Sequence, residues 1–173
     1  MEKQRVFGVT GWKNSGKTTL VCRLVEEVAS RGFSVSTIKH AHHSFEIDHE
    51  GRDSHKHRMA GASEVAISSA NRWAIVHELR GKAEPSLEEM LTRLSPVDLV
   101  IIEGYKREPH PKIECRRIEA RSQEEIFAED GSVVALATDM QAHAPIPVFE
   151  IDDINSIADF VLDYVGLKES AFQ

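Results

Sequence analysis

Cysteine is nearly absent from this sequence. Cys22 and Cys115 are the only two among 173 residues, and neither stands in a CxxC or similar metal-ligand spacing. A disulfide framework is excluded on that count, and two isolated thiols, both read as core residues, suit a reducing cytoplasm. Long apolar runs are also missing. The longest, Val133 to Ala137, has five residues, far short of the ~20 that span a bilayer, so no membrane span is expected. Met1 to Arg5 lead straight into a strand-like segment, so no signal peptide is expected either. Positive charge is in deficit: 21 Lys and Arg against 28 Asp and Glu leave a net charge of −7. That balance argues against binding nucleic acid or an anionic membrane through bulk charge, so an anionic ligand needs a local site. With 41% hydrophobic and 28% charged residues, whole-chain disorder is excluded as well.

What is present alternates between strand and helix patterns. Val6 to Thr10 is a short run without alternation, as in a strand covered on both faces. Lys17 to Arg31 places Leu20, Leu24 and Val28 on one helical stripe that ends at Gly32. Val35 to Lys39 reads as a second strand, and the stretch from His40 to Arg58 leads into a short helix ending near Gly61. Glu64 to Ser68 and Arg72 to Leu79 flank Ser69-Ala70-Asn71 as a hairpin. Pro85 to Leu94 reads as helix, Leu99 to Ile102 as a buried strand, Lys112 to Ile118 as an edge strand because polar and apolar residues alternate, and Val133 to Thr138 as a core strand. Ile154, Ile157, Val161 and Val165 mark a last helix closed by Gly166. No repeat and no Pro/Gly/Ser linker appears. The expectation is one domain over 1–173: an α/β P-loop NTPase fold of three layers, with a mainly parallel sheet and a hairpin or edge-strand extension.

The strongest motif is Gly11-Trp12-Lys13-Asn14-Ser15-Gly16-Lys17-Thr18, a GxxxxGK[ST] phosphate loop between an apolar strand and an amphipathic helix. Its glycines let successive N–H groups turn towards phosphate oxygens, and the helix that follows adds the positive end of its dipole. Gly11, Lys13, Asn14, Ser15, Gly16, Lys17, Thr18 and Thr19 are therefore candidate nucleotide contacts. Lys17 would reach the β- and γ-phosphates, Thr18 would ligate Mg²⁺ and Thr19 would meet the α-phosphate. Leu99 to Glu103 ends an apolar strand in a carboxylate, the Walker B pattern, which makes Glu103 a candidate for the Mg²⁺ shell. Asp139, after the Val133 to Thr138 strand, is a candidate acceptor for the guanine N1 and N2 hydrogens, with a loop cap as the equal alternative.

Six of nine histidines, at 40, 42, 43, 49, 55 and 57, fall together with Glu46, Asp48, Glu50 and Asp53. Three readings stand. A solvated loop is the plainest, and a transition-metal site is a second, although no CxxC or HExxH spacing supports it. The favoured one is a switch-like loop at the terminal phosphate, in which Asp48 orients the attacking water and Asp53 serves Mg²⁺. Lys106, Arg107, His110, Lys112, Arg116, Arg117 and Arg121 crowd a basic segment, read as a solvated strand face or as a contact for phosphate or a partner.

The run Ile38-Lys39-His40-Ala41-His42-His43, with Ile47-Asp48, Gly51-Arg52-Asp53-Ser54 and Arg58-Met59-Ala60-Gly61-Ala62, resembles the MobB family of molybdopterin-guanine dinucleotide biosynthesis adapter proteins. Asn71 to Ala74, Glu103 to Lys106, Lys112 to Glu114 and Ala137 to Asp139 continue the resemblance along nearly the whole chain. Ser44 and Glu50 depart from the pattern, which favours an acid and a proline there. The resemblance implies a weakly hydrolysing GTP-binding protein with Mg²⁺. It also implies a homodimer acting with a molybdopterin guanylyltransferase, with molybdopterin itself a further candidate ligand. Lys39, His40, His42, His43, Arg58 and Lys106 become candidates for the substrate or switch loop. Two rival functions fit the phosphate loop: a metal-insertion GTPase that carries Ni²⁺ or Zn²⁺ on its histidines, and a small-molecule kinase, disfavoured by the lack of an Arg-rich lid.

Overall fold

The computed structural model describes residues 4–41, 45 and 47–167. Along the chain run β1 (Val6–Gly11), α1 (Lys17–Ser30), β2 (Val35–Lys39), α2 (Asp53–Met59), β3 (Glu64–Ser68) and β4 (Trp73–His77). They are followed by α3 (Leu87–Arg93), β5 (Leu99–Glu103), β6 (Lys112–Arg116), β7 (Val133–Thr138), β8 (Val148–Glu150) and α4 (Ile154–Tyr164). They fall into two compact units, Met1–His40 with Leu87–Gln173, and Ala41–Ser86.

In the first unit six strands form one parallel sheet in the order β2-β5-β1-β6-β7-β8. Both faces of β5 are buried, as an unalternating apolar run requires. Leu99 and Ile101 join Phe7, Val9, Leu20 and Leu24 in a core shared with α1 and α4, while Val100 and Ile102 pack with Leu87 of α3 and with Ile38. Helices therefore lie on both faces of the sheet, the expected α/β arrangement. In α4 the stripe Ile157, Val161 faces the core, and Asp153 caps its start by accepting from the Ser156 N–H at 3.2 Å. The second unit holds α2 and the antiparallel hairpin of β3 and β4.

Three expectations are corrected. The Lys112 strand is no edge: β6 lies between β1 and β7, and the edges are β2 and β8. Its alternation arises because one face of β6 meets the α1/α4 core while the other meets polar loop backbone. Lys112 is fully buried there, and its ammonium donates to the carbonyls of Lys106 (3.2 Å) and Glu108 (2.6 Å), to Asp130 Oδ2 (3.1 Å) and to Ser132 Oγ (2.7 Å). Glu114, also fully buried, accepts from the N–H groups of Ile126 and Phe127, while burial raises its pKa. The basic segment is thus an interior anchor rather than a solvated face at Lys112. Cys115 is a core thiol as expected, but Cys22 is exposed on α1, off the Leu20, Leu24, Val28 stripe.

His110 precedes this strand, and its ring lies against Gly8. Both ring nitrogens are buried without a hydrogen-bond partner among the described residues. Burial, with the Lys112 ammonium beside it, pushes the imidazole pKa from 6.5 down to about 4. The folded value lies below the unfolded one, so the unfolded chain takes up the proton first as pH falls. The neutral ring's contribution is complete above pH 6.5 and lost progressively towards pH 4. Urea midpoints should fall more steeply across this window in the wild type than in His110→Gln; parallel curves would assign the acid sensitivity elsewhere.

Candidate functional site

Between β1 and α1 the chain turns through three residues with positive φ: Gly11 at 143°, Asn14 at 66° and Gly16 at 89°. A Cβ on Gly11 would stand 2.4 Å from Ser15 Oγ and 2.5 Å from the Cys115 carbonyl oxygen, so only glycine fits. Gly16 is the N-cap of α1 and makes no side-chain cap, so the first N–H groups of this helix are left open to an anion. The Trp12 carbonyl accepts from the Ser15 N–H at 3.2 Å and from the Lys17 ammonium at 2.6 Å, which closes the loop on itself. Ser15 and Thr10 are buried at 1% exposure, and their hydroxyls have no partner among the described residues.

Strand order brings the next groups to this loop. β5 lies between β1 and β2, and Glu103 at its end is paired in register with Lys39 and with Val9. Thr18 Oγ1 donates to Glu103 Oε1 at 2.9 Å; the Lys39 ammonium is 3.0 Å from the same oxygen and 3.4 Å from the Thr18 hydroxyl. The Glu103 side chain is only 11% exposed. After Glu103, Gly104 (φ 94°) and Tyr105 (φ 49°) make a left-handed turn. The Tyr105 ring faces His40 with centroids 4.6 Å apart, and the Lys106 ammonium sits 3.2 Å from the centre of the Trp12 ring. Burial lowers the pKa of Lys17, with Lys39 adding to the effect, and burial followed by the Lys17 charge lowers that of Lys106. Three ammonium groups thus surround one glycine loop in a chain of net charge −7, which makes a local site for an anion.

On the other flank of the loop, Arg117 lies over Gly16, its Cδ 3.0 Å from where a Cβ would stand. Its Nε donates to Asp139 Oδ2 at 3.1 Å, and Asp139 Oδ1 accepts from the Ile118 N–H at 3.1 Å. Asp139 therefore ties the ends of β6 and β7 together beside the start of α1, with Arg117 as its counter-ion. Arg117 was hidden in the basic segment; a signal for it is its place just past the end of a strand adjacent to β1. Thr19 lines the same small recess with Gly16 and Arg117, and Lys13 is exposed, its carbonyl accepting from the Arg121 N–H.

Other candidates belong to the second unit and have partners there. Asp48 is 5% exposed, accepts from Ser54 Oγ at 2.7 Å, and pairs with Arg58 at 3.9 Å; Arg58 also meets Glu78 at 3.3 Å. Asp53, at the start of α2, is open to solvent and paired with Lys56 at 3.0 Å. His42 and His43 lie outside the described residues. Among the described residues, no three His, Cys, Asp or Glu side chains converge as a metal site, and no helix is long and apolar enough to cross a membrane.

Residues 6–139 match the family described as Molybdopterin guanine dinucleotide synthesis protein B, MobB. The chain belongs to the MobB family. It is 34% identical over 162 residues to the Molybdopterin-guanine dinucleotide biosynthesis adapter protein of Escherichia coli (strain K12), covering 92% of this chain and 93% of that one. It is 37% identical over 161 residues to the Haemophilus influenzae protein of the same description, covering 92% and 89%. The crystal structure of Bacillus subtilis MobB superposes with a TM-score of 0.71 at 29% identity, covering 96% of this chain and 99% of that one. The MobB match runs from β1 to Asp139 and so includes the Gly11 to Thr18 loop, Glu103 and the 41–86 unit.

Proposed function

We propose that this MobB-family chain binds GTP with Mg²⁺ on the Gly11 to Thr18 loop, hydrolyses it slowly, and serves in the cytoplasm as an adapter to the guanylyltransferase that makes molybdopterin guanine dinucleotide. The observation that carries the reading is the glycine loop at the start of α1 with the Thr18 hydroxyl 2.9 Å from the Glu103 carboxylate. That pair is a set of hard oxygen donors suited to Mg²⁺, and an ammonium already stands against both. When bound, Mg²⁺ supplies neutralisation of phosphate charge. The chain's own groups do the rest: loop N–H groups and Lys17 hold the β- and γ-phosphates, Thr19 the α-phosphate, and Lys106 with Lys39 complements the remaining charge.

Slow turnover follows from the arginines. Arg117 is committed to Asp139 and Arg23 to Asp152, so neither is a ready transition-state finger, and P-loop GTPases without one turn over at roughly 10⁻⁴ to 10⁻² per second. A second copy of the chain is the proposed cover for the hairpin. Trp73 is 71% and Ile75 56% exposed on one face of β4, and a two-stranded sheet is marginal by itself.

Guanine preference is assigned to Asp139, whose oxygens retain lone pairs beyond their bonds to Arg117 and Ile118. An amide at this position cannot accept both guanine hydrogens. Calorimetric titration with GTP and ATP should show tighter GTP binding in the wild type and a reduced preference in Asp139→Asn. Equal affinities in the wild type, or full discrimination in the variant, would mean another group reads the base.

A further inference from the structure

The Lys39 ammonium occupies the space between Thr18 Oγ1 and Glu103 Oε1, 3.4 Å and 3.0 Å away, the two oxygens that the proposed nucleotide site offers to Mg²⁺. Glu103 is nearly buried, with its side chain 11% exposed, and a carboxylate so placed is costly without a compensating charge. The Thr18 hydroxyl supplies one hydrogen bond but no charge. Lys39 supplies the charge in direct contact, with the Lys17 ammonium acting at longer range, and the parallel register of β2 on β5 sets the Lys39 backbone beside Glu103. The Lys39 side chain itself is 59% exposed, so its ammonium has an open route to water.

We propose that Lys39 is a tethered counter-ion of the Mg²⁺ site: it neutralises Glu103 when no metal is bound and is displaced when the metal arrives. The inference rests on the reading of Thr18 and Glu103 as the metal's ligands and goes beyond it by naming the group that competes for them. Its consequence is ordering. A divalent cation alone must evict an ammonium from its carboxylate, and one carboxylate with one hydroxyl offers little in return. A cation arriving with nucleotide phosphates brings further oxygen ligands, and the displaced ammonium gains those phosphates as a new partner. Lys39 thereby keeps the empty site from taking up free metal and couples metal entry to nucleotide entry. It acts as a positioning residue, through Glu103, and not as a metal ligand.

The test needs no nucleotide, so its outcome is independent of whether the chain binds GTP. Thermal unfolding of the full chain is followed in EDTA and in millimolar Mn²⁺, and Mn²⁺ affinity is read from the electron paramagnetic resonance signal of the free ion. Wild type should melt at the same temperature in both media. Lys39→Met should melt lower in EDTA and recover in Mn²⁺, with Mn²⁺ bound at least ~10-fold more tightly than by wild type. Lys39→Arg, which keeps the cation, should bind Mn²⁺ as weakly as the wild type. Lys39→Met/Glu103→Gln should lose the response to Mn²⁺, because the carboxylate is gone. If Lys39→Met does not fold, Lys39→Gln removes the charge while keeping a polar group, and the same shift in Mn²⁺ affinity is expected. Equal Mn²⁺ affinity in wild type and the uncharged variants would overturn the proposal, as would a Lys39→Arg protein that behaves like Lys39→Met.

Discussion

Lys17→Ala should weaken GTP binding about 100-fold while leaving the far-ultraviolet circular dichroism unchanged, because it removes a charge-assisted contact to phosphate at the first position of a helix, where alanine is well tolerated, and not a side chain of the core. Among the described residues the ammonium's one hydrogen bond is to the Trp12 carbonyl, in the same loop. That loop keeps its turn without the lysine, since the positive φ values at Gly11, Asn14 and Gly16 and the Ser15 to Trp12 backbone bond remain. Of the three ammonium groups at the loop, Lys17 alone stands at the first position of α1, where it shares the helix N-terminus with the anion. Unchanged affinity for GTP would remove the phosphate-loop assignment altogether.

Lys112→Ala is expected to cost about 3 kcal/mol of folding stability, the largest effect on the fold among these variants. The lysine is fully buried and its charge is compensated: Asp130 pairs with it at 3.1 Å, and two carbonyls and the Ser132 hydroxyl accept in the other directions. Alanine strands the Lys106 and Glu108 carbonyls, removes the Asp130 counter-ion while Ser132 still donates to that carboxylate, and frees the loop that holds Lys106 against Trp12. Urea unfolding should show the loss in midpoint with little change in slope, and GTP affinity should fall as Lys106 loosens. A loss below about 1 kcal/mol would mean that water replaces the ammonium at this face.

These two lysines also show where the sequence was readable and where it was not. Lys17 lies in a motif whose chemistry is local, so eight consecutive residues sufficed to place it. In the same way β2 and β3 take the bounds expected from their apolar and β-branched residues, Val35, Thr37 and Ile38 in Val35–Lys39 and Val65 and Ile67 in Glu64–Ser68. Lys112 could not be placed, because alternation of polar and apolar residues reports two different surroundings, not water on one side. The partners that bury it, from Lys106 to Ser132, come from loops without periodicity. β8 went unseen for a related reason: Val148–Glu150 is three residues long, too short for any period, and it is a strand only because β7 lies beside it. Lys39 and Glu103 each stood out alone, one in the family-like run and one at the end of an apolar strand. That they meet follows from the strand order, with β5 inserted between β1 and β2, and no local pattern encodes that order. Arg117 and Asp139 are joined by the same kind of long-range register. Asp48, expected to orient water, and Arg58, expected in the substrate or switch loop, pair with each other within the 41–86 unit, a partnership that no local pattern encodes.

The adapter role is tested most directly by following dinucleotide formation in a reconstituted mixture of molybdopterin, the guanylyltransferase and limiting GTP, with and without this protein. An adapter alone should form no dinucleotide, should raise the yield when the transferase is present, and should lose that gain in Lys17→Ala. No stimulation by the wild type at any GTP concentration, with GTP binding confirmed in the same preparation, would contradict it.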